Sequence, residues 1–473
     1  MTKKFILAIP ITLVFISIIT LFSSLSKSNV KNNNPNVILI MVDDLRPEIN
    51  CYNKTIIKSP NIDDLASDSY LYENAVCNYP VCGASRASML TGLRPNKNRF
   101  KTFKSRIDVD APSVETIGSW FKNNGYYTLS FGKISHHKND SPKSWSEPAW
   151  RAEKKWRDYQ TDENIKLANQ NKGVANAFEI GLNLKDDYAD QKMVDRINDD
   201  LINLKSNNQP FLLSVGFLKP HLPFNAPLKY WDLYDKKDIQ LAKNRFQPEN
   251  TPQIAMHHYA ELRKYLNIPN DKSVEIPDST QLKLIHGYYA CISFVDDQIG
   301  RLVSKLKELD LYNDAIIVFV GDHGWQLGEH NLWAKHCNFQ TSLKVPLLIK
   351  YPNQTEAKKI KSVVELVDIF PTLCDISNLD YPKHLQGKSL NSINKKDNSN
   401  TIGFSRYKKG TTITTSNYSY TRWQNENNEL LGQMLFDLKR DKDENISIAI
   451  DSTYKQLINS FSISIDSINK VSL

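Results

Sequence analysis

The chain has 473 residues, 40% of them apolar and 24% charged, with a net charge of +8. That length allows one large domain plus a smaller one, or two to three ordinary ones, and the balance excludes a disordered protein. The positive charge suits polyanions such as sulfated polysaccharide, but no stretch interleaves Arg with aromatics as an RNA or single-strand binder would, so no nucleic-acid partner is expected.

In chain order, Lys3 and Lys4 precede an apolar run from Phe5 to Phe22 and the tail Ser23-Ser24-Leu25-Ser26. A basic start, an apolar middle and a small-residue tail read as a secretory signal over residues 1–26. An uncleaved N-terminal anchor is the competing reading, because the run approaches spanning length. Both imply an exported protein, periplasmic or secreted, with membrane contact only through that anchor. The six cysteines, Cys51, Cys77, Cys82, Cys291, Cys337 and Cys374, form no Cys-x-x-Cys pair or zinc spacing. Cys51 with Cys77 is a conceivable bridge.

Val37 to Val42 is a continuous apolar run, the pattern of a strand buried on both faces in a parallel sheet. It ends at Asp43-Asp44, where two adjacent carboxylates are costly unless a cation pairs with them. A short helix is expected near Asn61 to Ser69. Next comes Cys82-Gly83-Ala84-Ser85-Arg86, small and turn-forming, just before an apparent helix start. Backbone N–H groups and the helix dipole favour an anion there, and Arg86 adds a fork of donors suited to a tetrahedral oxyanion. These residues point to a nucleophile or an anion site; the bland alternative is a buried free cysteine in a turn.

Ser113 to Asn124 reads as a helix, and Tyr126 to Phe131 as a strand running into Gly132-Lys133-Ile134-Ser135-His136. Lys138 to Gly173 reads as an insertion over the site, with Trp145 and Trp150 as candidate sugar contacts. A helix is expected from Asp190 to Lys205 and a third strand from Pro210 to Phe217, which exits into Lys219-Pro220-His221. Asn225 to Pro277 reads as a second, irregular insertion, with His257 a further candidate sugar contact. Ser279 to Asp310 carries Leu282, Ile285, Tyr289, Ile292, Val295, Ile299, Leu302 and Leu306 at helical spacing, a core stripe. Ala315 to Val320 is a fourth strand, ending in Gly321-Asp322-His323-Gly324. Val345 to Tyr351 reads as a further strand and Leu366 to Ser377 as a helix kinked at Pro371. The segment from about Asp380 to Leu473 favours a small antiparallel sheet, with runs at Thr411 to Thr415, Tyr418 to Trp423 and Gln433 to Leu438 and a helix from about Ile446.

Four strand exits thus deliver Asp43/Asp44, Lys133/His136, His221 and Asp322/His323. In an open α/β sheet such exits share one edge, where ligands bind. Asp43, Asp44 and Asp322 are oxygen ligands for a hard divalent cation, Ca²⁺ or Mg²⁺, whereas the imidazole of His323 suits a softer metal.

The motifs together resemble the type I, formylglycine-dependent sulfatase family. The resemblance lies in Cys82-Gly83-Ala84-Ser85-Arg86 with Thr91-Gly92, Asp43-Asp44-Leu45-Arg46-Pro47, Ser59-Pro60-Asn61-Ile62-Asp63, Gly132-Lys133, Lys219-Pro220-His221, Gly321-Asp322-His323-Gly324 and Trp333-Ala334-Lys335-His336. Ala84 stands where many members have proline. The Asp-Asp-Leu-Arg-Pro and Trp-Ala-Lys-His forms look most like the iduronate-2-sulfatase branch. The resemblance implies an alkaline-phosphatase-like fold: a mixed, mostly parallel α/β sheet flanked by helices, with a smaller C-terminal α+β subdomain carrying a short antiparallel sheet. It implies a catalytic domain over residues 35–378 and the subdomain over 379–473. It further implies that Cys82 is converted to 3-oxoalanine (formylglycine) by a maturation enzyme. Ca²⁺ is then held by Asp43, Asp44, Cys82, Asp322 and His323. Arg86, Lys133 and Lys335 neutralise the sulfate and the nucleophile, His136 handles the protons of the aldehyde hydrate, and His221 is the acid for the leaving alcohol. The implied substrate is a sulfated oligosaccharide or polysaccharide. A phosphate or phosphonate ester hydrolase on the same scaffold, and a non-catalytic polysaccharide-binding protein, are the alternatives.

Overall fold

The computed structural model of the protein describes residues 34–53, 56–153, 156–182, 188–207, 209–354, 356–395 and 401–471. The segment read as a signal or anchor lies outside them. Among the described residues no helix is long and apolar enough to cross a membrane.

The main sheet comprises β1 (Val37–Val42), β2 (Tyr70–Val76), β3 (Tyr127–Gly132), β4 (Phe211–Phe217), β5 (Ile316–Gly321), the two-residue β6 (Lys344–Val345), β7 (Leu347–Lys350) and β8 (Lys358–Glu365). Its order is β6-β2-β7-β5-β1-β4-β3, with β8 also pairing with β2. β5, β1, β4 and β3 are consecutive neighbours and mutually parallel, so their C-terminal ends emerge side by side. These are the four strands whose apolar runs end in ionisable residues.

Both sheet faces are covered, as continuous apolar strands demand. Ile38, Ile40 and Val42 face one core with the helices Ala189–Ser206 and Asp278–Glu308, while Val37, Leu39 and Met41 face another with Cys82–Thr91, Ile117–Asn123 and Ile369–Ile376. Along Asp278–Glu308 the expected stripe from Ile285 to Leu306 is buried, and Leu282 is half-buried.

Several expectations are corrected. β2 and β8 were not anticipated, because Glu73 and Asn74 interrupt the one and three lysines the other, on the flank where side chains reach solvent. Pro346 splits the run at Val345 to Tyr351 into β6 and β7. Pro371 is the third residue of Ile369–Ile376, where a helix leaves its N–H groups unpaired in any case, so no kink is required there. All six cysteines are free, which removes the Cys51–Cys77 bridge. The C-terminal sheet has four strands, β9 (Gly403–Tyr407), β10 (Gly410–Thr414), β11 (Tyr418–Gln424) and β12 (Leu430–Asp437), paired in that order. Its helix starts at Lys455, because residues 445–447 instead run beside Glu249, with backbone bonds of 2.8 and 2.9 Å. Ile413, Tyr420 and Leu435 pack under that helix, and Trp423, Met434 and Phe436 pack on Leu332 and Phe339.

The exits of β3 and β4 approach unusually closely. Gly132 (φ +67°) is paired with Gly216, and a Cβ on Gly216 would lie 2.2 Å from the Lys133 carbonyl. Gly216→Ala should therefore cost about 3 kcal/mol of stability in urea denaturation, because backbone must move. A change below about 0.5 kcal/mol would show that the exits separate freely.

Candidate active site

The four exits are fastened by backbone before any side chain acts. Asp43 N donates to Phe217 O at 3.2 Å, Asp322 N to Val42 O at 3.2 Å, and Lys133 N to Gly216 O at 2.7 Å. Asp44 turns away with φ 58°, a conformation that aspartate tolerates better than most residues. Tyr288, on the long helix, holds it there: its hydroxyl donates to Asp44 O at 2.8 Å and accepts from Arg46 N at 3.1 Å.

Arg86, the fifth residue of the helix Cys82–Thr91, projects into this edge and is fully buried. Its Nε donates to Asp322 Oδ2 at 2.8 Å and Nη2 to Asp43 Oδ1 at 3.2 Å. Nη1 bonds the carbonyls of Lys133 and Ile134. One guanidinium therefore spans three exits. Lys133 Nζ pairs with Asp43 Oδ2, and Lys335 Nζ reaches Asp44 Oδ1 at 2.8 Å while lying 4.9 Å over the Trp325 ring. Burial alone would raise the Asp43 carboxyl, but Lys133 and Arg86 outweigh it and hold it well below the usual range. Burial likewise opposes the Lys335 ammonium, and Asp44 reverses that, holding it well above the ordinary lysine value.

Cys82 opens its helix beneath these groups. Its Sγ is 3.2 Å from His323 Nε2 and 3.9 Å from Asp44 Oδ1. Burial and Asp43 push the thiol up, so the unmodified side chain is a poor nucleophile. His323 Nδ1 lies 3.0 Å from the Gly324 carbonyl, which can only accept, so Nδ1 carries a hydrogen and Nε2 is the nitrogen that faces the cluster. Donor atoms of Asp43, Cys82, Asp322 and His323, and separately of Asp43, Asp44, Cys82 and His221, lie within 4.8 Å of one another. Asp44 Oδ2 is buried with no hydrogen-bond partner. Converging carboxylates with an orphaned oxygen fit a hard divalent cation.

His221 Nε2 faces Asp44 Oδ2 at 3.9 Å. Burial works against its charge, but Asp44 prevails and raises it to about 9. His136 is the opposite case: burial and Lys133 lower it to about 2, so its ring is neutral, with Nδ1 buried and unpartnered. Its loop is held by Arg151, whose guanidinium donates to the carbonyls of Gly132, Ser135 and His136. All the sequence-predicted site residues thus lie on one sheet edge, with His136 making no ion pair.

Two neighbours were not anticipated. Glu261 enters from the segment read as irregular, and its carboxylate lies 3.3 Å from His221 and 3.2 Å from Lys335. No motif marks it in Tyr259-Ala260-Glu261-Leu262. Trp156, 46% exposed, sets its ring edge-on to His221 at 5.2 Å, with the Arg157 guanidinium stacked on it at 4.1 Å. The tryptophans proposed for sugar contact are corrected: Trp145 is buried in the core and Trp150 packs on Phe131 at 6.1 Å. His257 lies beside His336, 6.3 Å between rings.

Arg86→Ala would leave Asp43 and Asp322 buried with one cation fewer. In the presence of a chelator it should cost about 3–5 kcal/mol in urea denaturation, with Arg86→Lys recovering less than half because an ammonium cannot fork between two exits. A loss below about 1 kcal/mol would show that the exits converge without it.

Residues 35–379 match the sulfatase family model, and residues 328–470 match that of the N-sulphoglucosamine sulphohydrolase C-terminal region. Human iduronate 2-sulfatase is 35% identical over 411 residues, 78% of this chain and 74% of its own. A sulfatase of Formosa agariphila is 30% identical, covering 90% of this chain and 85% of its own. Among solved structures, a protein in complex with its substrate D-glucosamine-2-N,6-O-disulfate superposes with a TM-score of 0.73 at 18% identity over 93% of this chain and 98% of its own. The phosphonate monoester hydrolase of Agrobacterium radiobacter does so at 0.71 and 20% over 93% and 96%, a likeness of fold alone. The chain belongs to the sulfatase family and is a sulfuric ester hydrolase.

Proposed function

We propose that the protein removes sulfate from the end of a sulfated carbohydrate, in the manner of an iduronate-2-sulfatase, with Cys82 oxidised to formylglycine and Ca²⁺ held by Asp43, Asp44, Asp322, His323 and residue 82. The observation that carries this reading is one cysteine at a helix start, set among acidic metal donors and three buried cations. Oxidation of Cys82 supplies an aldehyde whose hydrate brings the oxygen nucleophile. The ion supplies charge that lowers the cost of an anionic oxygen beside it.

The chain's own residues then do the rest. Arg86 and Lys133 keep Asp43 ionised and place positive charge around residue 82. Lys335 adds a third cation for the sulfuryl oxygens. His136, neutral with an open Nδ1, offers a hydrogen-bond acceptor at that atom to a hydroxyl on residue 82. His221, charged, gives one to the departing sugar oxygen. Cys82, Lys335 and His221 are only 2%, 2% and 7% exposed, and so deep a site favours a terminal sugar over the middle of a chain. Trp156 at the rim offers an apolar ring face to that sugar. An exported location suits a polysaccharide too large to enter the cell.

The peptide containing Cys82 should show the mass of an aldehyde in place of the thiol in active protein, and Cys82→Ala should lower sulfate release at least ~1000-fold. Active protein carrying only thiol contradicts the reading. An aryl phosphate cleaved faster than the matching aryl sulfate would favour the phosphate or phosphonate alternative. Trp156→Ala should raise KM for a sulfated oligosaccharide about 5–10-fold with kcat within about threefold, the worth of one aromatic contact. An unchanged KM would remove Trp156 from the sugar site.

A further inference from the structure

A site that buries the terminal sugar obliges the rest of a sulfated chain to leave across the rim. Trp156 stands there, exposed, with its ring edge-on to His221 at 5.2 Å. The next residue, Arg157, sets its guanidinium carbon 4.1 Å from the centre of that ring and 5.9 Å from that of Tyr265. Arg157 also lines a cavity of about 240 Å³, together with Tyr159, Ile165, Ala168 and Gly173. That cavity shares no lining residue with the catalytic cluster, and Trp156 stands between His221 and the arginine that borders it.

The charge of Arg157 is unspent. Among the described residues no carboxylate pairs with it, its one backbone acceptor is Gly173 O at 3.2 Å, and its Nε is buried without a hydrogen-bond partner. Arg151 and Arg263 also lack a carboxylate, but each is spent on three backbone carbonyls: those of Gly132, Ser135 and His136 for the first, and of Pro269, Asp271 and Val274 for the second. Those two are ties between loops, whereas Arg157 keeps donors in hand. Asp158 borders the same cavity, but it is buried and its oxygens are occupied, accepting from Ala189 N at 2.6 Å and from Gln160 Nε2 at 2.9 Å.

We propose that Arg157, braced on Trp156, forms a second subsite that binds an acid group, sulfate or carboxylate, on the sugar next to the one that loses its sulfate. The inference rests on the sulfatase reading above. A guanidinium whose face lies on an indole keeps its N–H edge free, and that edge matches two oxygens of a carboxylate or a sulfate at once. The indole covers the arginine from water on one side, so the ion pair is screened less than on an open surface. Arg157 takes no part in breaking the ester; it selects which neighbour the terminal sugar has.

The test compares three disaccharides with the same sulfated terminal sugar, whose second sugar carries a sulfate, a carboxylate or neither. Wild-type protein should show a KM about 10-fold lower for at least one of the acidic forms than for the neutral one, and the form preferred identifies the acid. Arg157→Gln should raise KM for that form about 10-fold, with kcat within about threefold, and shift KM for the neutral form less than about twofold. Arg157→Lys, which keeps the charge without the fork, should fall between. Turnover of the neutral form reports that each variant is folded. An equal rise on acidic and neutral forms would make Arg157 a prop for Trp156 and overturn the proposal, as would a wild-type KM indifferent to the second sugar; both leave the sulfatase reading standing. Wild-type protein that releases sulfate from none of the three, nor from 4-nitrophenyl sulfate, overturns both.

Discussion

The guanidinium of Arg86 is the contact on which the site depends. It is fully buried, and it joins Asp43 at the end of one strand, Asp322 at the end of its neighbour and the carbonyl of Lys133 at the end of a third. Burying carboxylates together is unfavourable twice over, through lost hydration and mutual repulsion. Arg86 and the two lysines offset both, and so fix the spacing of the acids. Because Arg86 rises from the helix that begins with Cys82, the same contact sets the cysteine against the acids. An arginine suits this task because it is charged at any ordinary pH and its planar fork reaches two acceptors at fixed angles.

The arrangement also sorts proton carriers. His221 and His136 stand at the same edge, yet Asp44 overrides burial and leaves the first charged to about pH 9, and burial beside Lys133 leaves the second neutral down to about pH 2. One ring holds a proton and the other has a vacant nitrogen, although both are histidines on loops after strands. Environment, not residue type, makes the assignment.

How much of this was legible depended on where the burial lies. β1, β4 and β5 are buried along their whole length and read as unbroken apolar runs, so their ends, and with them Asp43, Asp44, His221, Asp322 and His323, stood out. The long helix was plain for the same reason. β2 and β8 were hidden because Glu73, Asn74 and the lysines of β8 reach solvent and break the pattern. Residues 445–451 look like a helix start but spend their backbone bonds on Glu249, on Leu435 and on a turn, distant pairings that local propensity cannot reveal. Glu261 and Trp156 lie in segments without periodicity, held by tertiary contacts with His221, Lys335 and Arg157, and no spacing rule reaches them. Trp145 and Trp150 illustrate the converse: composition drew attention to them, and packing places Trp145 in the core and half-buries Trp150 against it.

The most direct test is a crystal structure of the active protein grown with Ca²⁺. One ion should appear bonded to oxygens of Asp43, Asp44 and Asp322, with residue 82 beside it as an aldehyde or its hydrate and Arg86 still bridging Asp43 and Asp322. An ion bound elsewhere, or an active protein whose four strand exits hold only their lysine and arginine partners around a plain thiol, would contradict it.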